Sequence, residues 1–320
     1  MRFFVSAVMA LFLGSAWAQD YPSKPIRMLV PFAPGGAVDT TARVLAQAMQ
    51  QRLPNWQFVI ENRPGGNGFI ATTAVAKSTP DGYTLLMAHT GEFAVNPALF
   101  DNVPYELERD FVPITMVSDS PMLYLATAKA PFNTFQELVA QAKAKPGAIT
   151  FGSAGNGSIN HLAGEWLAQA AGIQLLHVPY KGGAPAAAAV AAGDVQFGVM
   201  AAPGAMPHIK SGRGKVIGIT TAKKSPLDPS WATPRDAGIP DLDASIWVGL
   251  FAPKGTPPAI VEQLNKEVRE TLKAPEVQKR FIESAGGEAV GMTQAEFLAR
   301  IKADAERYKR VVQKAGVKPG

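Results

Sequence analysis

The chain of 320 residues has no cysteine, so neither a disulfide framework nor thiolate chemistry is open to it. That suits an oxidising compartment, where a stray thiol is a liability. Long apolar runs are missing as well. The run from Phe3 to Leu13 is far shorter than the ~20 residues a membrane-spanning helix needs, and nothing later in the chain offers an uncharged apolar stretch of that length. Histidine is scarce: His89, His161, His177 and His208 are dispersed, and no H-E-x-x-H spacing occurs, so no metal centre is expected. The formal net charge of +5 comes without a run of like charge or a basic-aromatic stripe; Glu267, Arg269, Glu270 and Lys273 show the usual interspersion. Nucleic acid is therefore not the expected partner. A mildly basic surface instead helps attract small anions. Nucleotide fingerprints are absent too, since no Walker lysine follows a glycine turn and Gly155-Asn156-Gly157-Ser158-Ile159-Asn160 ends in Asn where a dinucleotide motif needs a small residue.

What is present begins with a leader. Arg2, the apolar run and Ala16-Trp17-Ala18 form the pattern of a secretory signal peptide over residues 1–18, which predicts an exported, soluble, periplasmic protein once it is cut. The stretch that organises the rest is Leu29-Val30-Pro31-Phe32-Ala33-Pro34-Gly35-Gly36, an apolar strand entering a Gly-Gly turn, with a helix beginning near Asp39. Val38, Ala42, Leu45, Ala46 and Met49 give that helix one apolar face. Two readings stay open here: an anion site on the turn's free N–H groups, or a plain strand-to-helix turn with Asp39 as N-cap.

Strands and helices then alternate. Gln57–Glu61, Thr84–Ala88, Ile149–Gly152, Leu175–Val178, Val195–Met200, Val216–Thr220 and Ser245–Phe251 read as strands, with Phe111–Val117 and Met122–Thr127 as two more. Helices are predicted at Phe69–Lys77, Ser158–Ala171, Ala184–Ala192, Pro257–Leu272, Pro275–Ser284 and Thr293–Ala315. The order predicts parallel α/β sheets with ligands at the carboxyl ends of the strands. A second glycine turn, Ser153-Ala154-Gly155-Asn156-Gly157-Ser158, stands at such an end, as do His89-Thr90 and Tyr180-Lys181. Two anion-ready turns facing one cleft suit a di- or tricarboxylate, with Ser153 and Ser158 as added hydroxyl donors and Ser158 alternatively an N-cap. Glu92 reads as a solvated loop residue. An exported α/β hydrolase using Ser153 or Ser158 with His161 is the enzymatic rival, although no acid completes a triad. A solute sensor for a signalling partner is a third reading.

Several motifs resemble the periplasmic solute-binding proteins of tripartite tricarboxylate transporters, the Bug or TctC-like family. They are Pro25-Ile26-Arg27, Val30-Pro31-Phe32-Ala33-Pro34-Gly35-Gly36 with Asp39, Glu61-Asn62-Arg63-Pro64-Gly65 and Pro80-Asp81-Gly82-Tyr83-Thr84. Asn96-Pro97, Phe151 to Ser158 with His161-Leu162-Ala163-Gly164-Glu165, His177 to Gly182 and Ala252 to Pro257 continue the match. The resemblance implies a type II periplasmic binding protein: two α/β lobes, residues 19–122 with 246–320 and residues 123–245, with a ligand cleft between them. It further implies no catalysis and no cofactor or metal. The expected partners are a small organic anion (mono-, di- or tricarboxylate) and a two-subunit inner-membrane permease, with the receptor itself a monomer. The residues expected to bind are Phe32, Ala33, Pro34, Gly35, Gly36 and Asp39; His89 and Thr90; Ser153, Ala154, Gly155, Asn156, Gly157 and Ser158; and Tyr180 with Lys181. Phe151, Glu92 and Asp194-Val195-Gln196 depart from the family's common pattern, as does the lack of an acid near Met200-Ala201-Ala202.

Overall fold

Strand β1 (Ile26–Val30) places Met28 and Val30 on one face and Leu29 on the other, and all three are buried. A parallel strand covered by helices on both sides needs that unbroken apolar run. This is seen in a computed structural model that describes residues 21–239 and 242–317. The expected leader, residues 1–18, lies outside the described residues.

The chain continues through α1 (Ala37–Arg52), β2 (Phe58–Asn62), α2 (Phe69–Ala76) and β3 (Thr84–His89). A π-helical turn over Gly91–Val95 leads into the short α3 (Asn96–Leu99) and α4 (Leu107–Asp110). Then come β4 (Phe111–Thr127), α5 (Phe135–Ala144), β5 (Thr150–Ser153), α6 (Ile159–Ala171), β6 (Leu176–Pro179), α7 (Gly183–Ala192) and β7 (Phe197–Ala201). The remaining elements are α8 (Ala202–Lys210), β8 (Gly214–Ile219), β9 (Ser245–Pro253), α9 (Pro258–Leu272), α10 (Pro275–Ala285), β10 (Glu288–Ala289) and α11 (Gln294–Ala315).

The strands pair in the order β2-β1-β3-β9-β4-β7-β5-β6, and β4 also takes β8 and β10. This ladder reads as one topology used twice. In the first half β2, β1 and β3 are parallel, β9 joins β3 antiparallel, and residues 111–121 of β4 follow, antiparallel to β9. In the second half β6, β5 and β7 are parallel, residues 122–126 of β4 join β7 antiparallel, and β8 follows on the other side of β4. Each half has a switch point where the chain leaves its central parallel strand to one side and returns on the other, β1 against β3 and β5 against β7. Crevices at the carboxyl ends of such strands are the usual ligand sites of open α/β sheets.

One expectation is corrected here. Phe111–Val117 and Met122–Thr127 are not separate strands but one, β4, because Ser118, Asp119, Ser120 and Pro121 keep pairing with β9 across two register shifts. Helix α11 turns one apolar stripe inward, with Phe297, Ile301, Tyr308 and Val312 buried. Phe297 and Ile301 pack with Trp247 and Phe251, whereas Tyr308 and Val312 belong to the large cluster shared with Phe151 and Leu162 of the second half. Thr293 opens this helix with a full capping box to Glu296.

Candidate functional site

The turn from β1 to α1 is built by a carboxylate rather than by a cap. Gly36 is the N-cap, in extended conformation, and Asp39 lies inside the first turn, 3% exposed. Its side chain accepts the Gly35 N–H at 2.9 Å, Arg43 Nε at 3.0 Å and Asn62 Nδ2 at 3.0 Å. Asn62 Nδ2 also donates to the Phe32 carbonyl, which ties both ends of the loop to β2. Burial alone raises the Asp39 pKa, but the bonds from Arg43, Gly35 and Asn62 outweigh it and hold the carboxyl below its ordinary value. The N-cap role read for Asp39 is thereby corrected. Its contact is with the protein's own Gly35 amide, and that amide is spoken for. The first-turn N–H groups from Gly36 to Val38 remain, unclaimed by the helix itself. Gly35 stands at φ +84, a left-handed conformation that favours glycine.

The β5-to-α6 turn is likewise knitted from within. Ser158 caps α6 by accepting the His161 N–H at 3.2 Å and donates its own proton to the Gly155 carbonyl at 2.7 Å. The Gly157 N–H donates to His161 Nδ1 at 3.1 Å. Ser153 is fully buried; its Oγ accepts the Gly155 N–H at 3.1 Å and lies 2.7 Å from His177 Nε2. Ser153 and Ser158 thus spend their hydroxyls on the turn, and the expectation that they serve as free donors is corrected. The same contacts dismantle the hydrolase reading. Ser153 is sealed from any substrate carbonyl, and His161 turns its Nδ1 to Gly157 and its Nε2 toward Glu165 at 3.6 Å. His161 and His177 stack with ring centroids 3.7 Å apart and planes at 7°. Burial, with His161 next in weight, pushes the His177 pKa down to about 4, so the stacked ring is neutral.

Two contacts join the first half of the chain to the β5-to-α6 turn, and a cavity borders the β1-to-α1 turn. Asn67 Nδ2, in the loop after β2, reaches the Asn156 carbonyl at 3.4 Å. Leu99 of α3 lies so close to Gly157 that a Cβ there would sit 2.1 Å from Leu99 Cδ2. A cavity of about 480 Å³ is lined by Gly35 and Thr40 on one side and by Ala202, Pro203 and Met206 at the carboxyl end of β7 on the other. Asn67 was missed in the sequence, although its setting, Pro64-Gly65-Gly66-Asn67-Gly68, was a visible signal; it has φ +50, an unusual conformation outside glycine.

At the end of β3 the residues separate. Thr90 is fully buried, with Oγ1 donating to the Ser245 carbonyl and accepting the Trp247 N–H, so it pins β9 and is withdrawn from the crevice. Its placement as a binding residue is corrected accordingly. His89 keeps 14% of its side chain exposed and packs on Phe32, ring centroids 4.6 Å apart. Glu92 is not solvated at all: it is fully buried, with Oε2 on His89 Nδ1 at 2.7 Å. Tyr180 contributes backbone, its N–H holding the Ser153 carbonyl at 3.1 Å. Its ring covers Gly152 beside Val195, where burial and Asp194 raise the phenol pKa, so the hydroxyl keeps its proton. Lys181 is exposed and makes no ion pair among the described residues.

This arrangement, with Ser153 and Ser158 both bonded within their turn and with helix N-termini at two paired switch points, matches what comparison with known proteins finds. The model of the tripartite tricarboxylate transporter family receptor, TctC, matches residues 41–317. The chain belongs to the TctC family. Among solved structures, R. palustris Rpa4515 with adipate is similar at TM-score 0.89 and 30% identity, covering 94% of this chain and 100% of that one. The periplasmic binding protein BugD is similar at 0.84 and 35%, covering 93% and 99%. MatC from Rhodopseudomonas palustris with bound malate is similar at 0.82 and 30%, covering 91% and 100%. TctC receptors are two-lobed α/β periplasmic solute-binding proteins and not enzymes, and the repeated sheet topology seen here is that architecture. No helix among the described residues is long and apolar enough to cross a membrane.

Proposed function

We propose that this TctC protein captures a small carboxylated metabolite between two lobes, residues 19–122 with 246–320 and residues 123–245. It then delivers that solute, as a periplasmic monomer freed of residues 1–18, to a two-subunit inner-membrane permease of the tripartite tricarboxylate type. The observation that carries the reading is the pairing of switch points: the first turn of α1, beside a cavity it shares with the start of α8, and the turn into α6 each follow a parallel strand, and each offers helix amides to an anion. A carboxylate accepting such N–H groups makes charge-assisted bonds, roughly twice as strong as neutral ones. Arg43 offsets the charge of Asp39 beside the first turn, so the buried carboxylate does not repel an anionic solute unopposed. Contacts such as Asn67 to Asn156 and Leu99 to Gly157 form only when the lobes meet, which lets a solute touching both turns favour closure. The adipate and malate in the similar structures support a dicarboxylate.

Mass spectrometry of ligand released from gently purified protein, followed by a thermal-shift series over mono-, di- and tricarboxylates, tests the reading. A carboxylic acid that raises the melting temperature in proportion to the logarithm of its concentration is the expected result. Binding confined to neutral or cationic solutes overturns it.

A further inference from the structure

The cavity beside the first turn of α1 deepens the proposed function, on which this inference rests, by assigning the far end of the solute. One wall of it is helix α8. Pro203, Met206, Pro207 and Lys210 line the space at the i, i+3, i+4 and i+7 spacing of a single helix stripe. Ala202 and Ala205, buried with Leu123 and Met200, seat α8 on the sheet and leave that stripe facing the cavity. From Pro203 to Lys210 the helix rises about 10 Å, at ~1.5 Å per residue, which gives the cavity a long axis.

The facing wall is the start of α1, at Gly35 and Thr40, and the last turn of α10, at Glu283 and Ser284. The two walls meet at the start of α8, where a Cβ on Gly286 would stand 2.2 Å from Ala202 Cβ. With that end closed, a chain leaving the unclaimed α1 amides next to Gly35 runs along α8 toward Lys210. The chemistry changes on the way. Pro203, Met206 and Leu227 offer methylene groups an apolar surface. Lys210 follows them; it is exposed and forms no ion pair among the described residues. Lysine side chains lean toward the N-terminus of their helix, which here carries the ammonium back over the cavity. Glu283, the acid on the facing wall, is already paired with Lys279 at 3.8 Å, so the Lys210 charge is left for an anion from outside. The volume of about 480 Å³ lies within the range of small-molecule pockets, and a two- to four-carbon acid would leave most of it empty.

We propose that the solute is a straight-chain α,ω-dicarboxylate whose near carboxylate takes the first-turn amides of α1, whose methylenes lie on Met206 and Leu227, and whose far carboxylate pairs with Lys210. An extended carbon chain advances about 1.3 Å per bond. Roughly six to eight carbons therefore cover the rise of α8 once the backward lean of the lysine is taken off.

The test measures calorimetric affinities of wild type, Lys210→Gln and Met206→Ser for the diacids from malonate to suberate, and for hexanoate and 6-aminohexanoate. In wild type, affinity should rise about 2- to 4-fold per methylene from succinate to adipate, as burying a methylene group does. Adipate should bind about 3- to 10-fold tighter than hexanoate, a margin that Lys210→Gln removes and that added salt narrows. Met206→Ser should flatten the rise with chain length, and if that variant does not fold, Lys210→Gln decides alone. An optimum at malonate or succinate overturns the proposal, as does a Lys210→Gln variant that keeps the margin of adipate over hexanoate. Tighter binding of 6-aminohexanoate than of adipate overturns it too, by giving the far end to Glu283. If acids bind wild type with no dependence on length or on Lys210, the functional reading stands and this proposal falls. If no acid binds wild type at all, both fall.

Discussion

Replacing Gly157 by alanine probes lobe closure at a single atom. Gly157 has φ +71, and its missing Cβ would lie 2.1 Å from Leu99 Cδ2 and 3.5 Å from Leu99 Cγ, at the end of α3. Two costs follow, and they fall on different observables. An alanine in left-handed backbone costs about 1–2 kcal/mol whether the lobes touch or not, and so lowers the melting temperature by several degrees. The collision with Leu99 costs about 1–3 kcal/mol, as overpacking does, only while the lobes meet. Solute affinity should therefore fall about 5- to 150-fold beyond any change in stability. Leu99→Val removes the offending Cδ2 and leaves the 3.5 Å neighbour in place, so the double variant should recover most of the affinity but not the stability. Calorimetric titration of the four proteins, with chemical denaturation alongside, makes the measurement. Affinity unchanged in Gly157→Ala while stability drops by the sum of both costs would mean that the turn and Leu99 stay in contact without ligand, and the reasoning about closure fails.

Further outcomes follow from other residues. Asp39→Ala frees the Gly35 amide and removes one of the two bonds that Asn62 Nδ2 donates, and should cost about 2–3 kcal/mol at pH 7 by denaturant unfolding. Because the folded Asp39 pKa lies below its unfolded value of about 3.9, that stabilisation is present above this pH and fades as pH falls through the folded value, so the variant and wild type should converge in strong acid. His177, held down to about 4, is stabilising as a neutral ring. Its contribution is complete above the unfolded value of about 6.5 and is lost on acidification toward the folded one. His177→Gln should therefore flatten the stability profile between those two pH values, by up to about 2 kcal/mol once the ring's partial exposure is allowed for. A Gly249→Ala Cβ would stand 2.2 Å from Phe297 Cζ, where α11 lies on β9, and should destabilise by about 1–3 kcal/mol with affinity unchanged.

Much of this was legible in the chain, for identifiable reasons. The parallel strands announce themselves by unbroken apolar runs such as Met28-Leu29-Val30, and the glycine turns by residues that only a tight strand-to-helix entry requires. Helix α8 was not legible: Ala202-Pro203-Gly204 and Pro207 argue against a helix by propensity, and packing of Ala202 and Ala205 against β4 and β7 overrides it. The break read at Ser118–Pro121 was a polar stretch whose pairing partner, β9, lies more than a hundred residues away. The site was legible in place but not in role. Local sequence cannot reveal that Asp39 would take the Gly35 amide, that Ser153 would meet His177, or that Glu92 would be buried beside His89. Each is a contact set by tertiary neighbours, and a carboxylate in a loop is far more often solvated.

A crystal structure of the protein with the tightest-binding acid of the carboxylate series tests the central claim most directly. One solute molecule should bridge the crevice, with carboxylate oxygens on amides from both the 34–36 and the 153–158 turns. A solute held by one lobe alone, or seated elsewhere such as the surface hollow lined by Pro22, Lys24, Pro54 and Gln57, would contradict it.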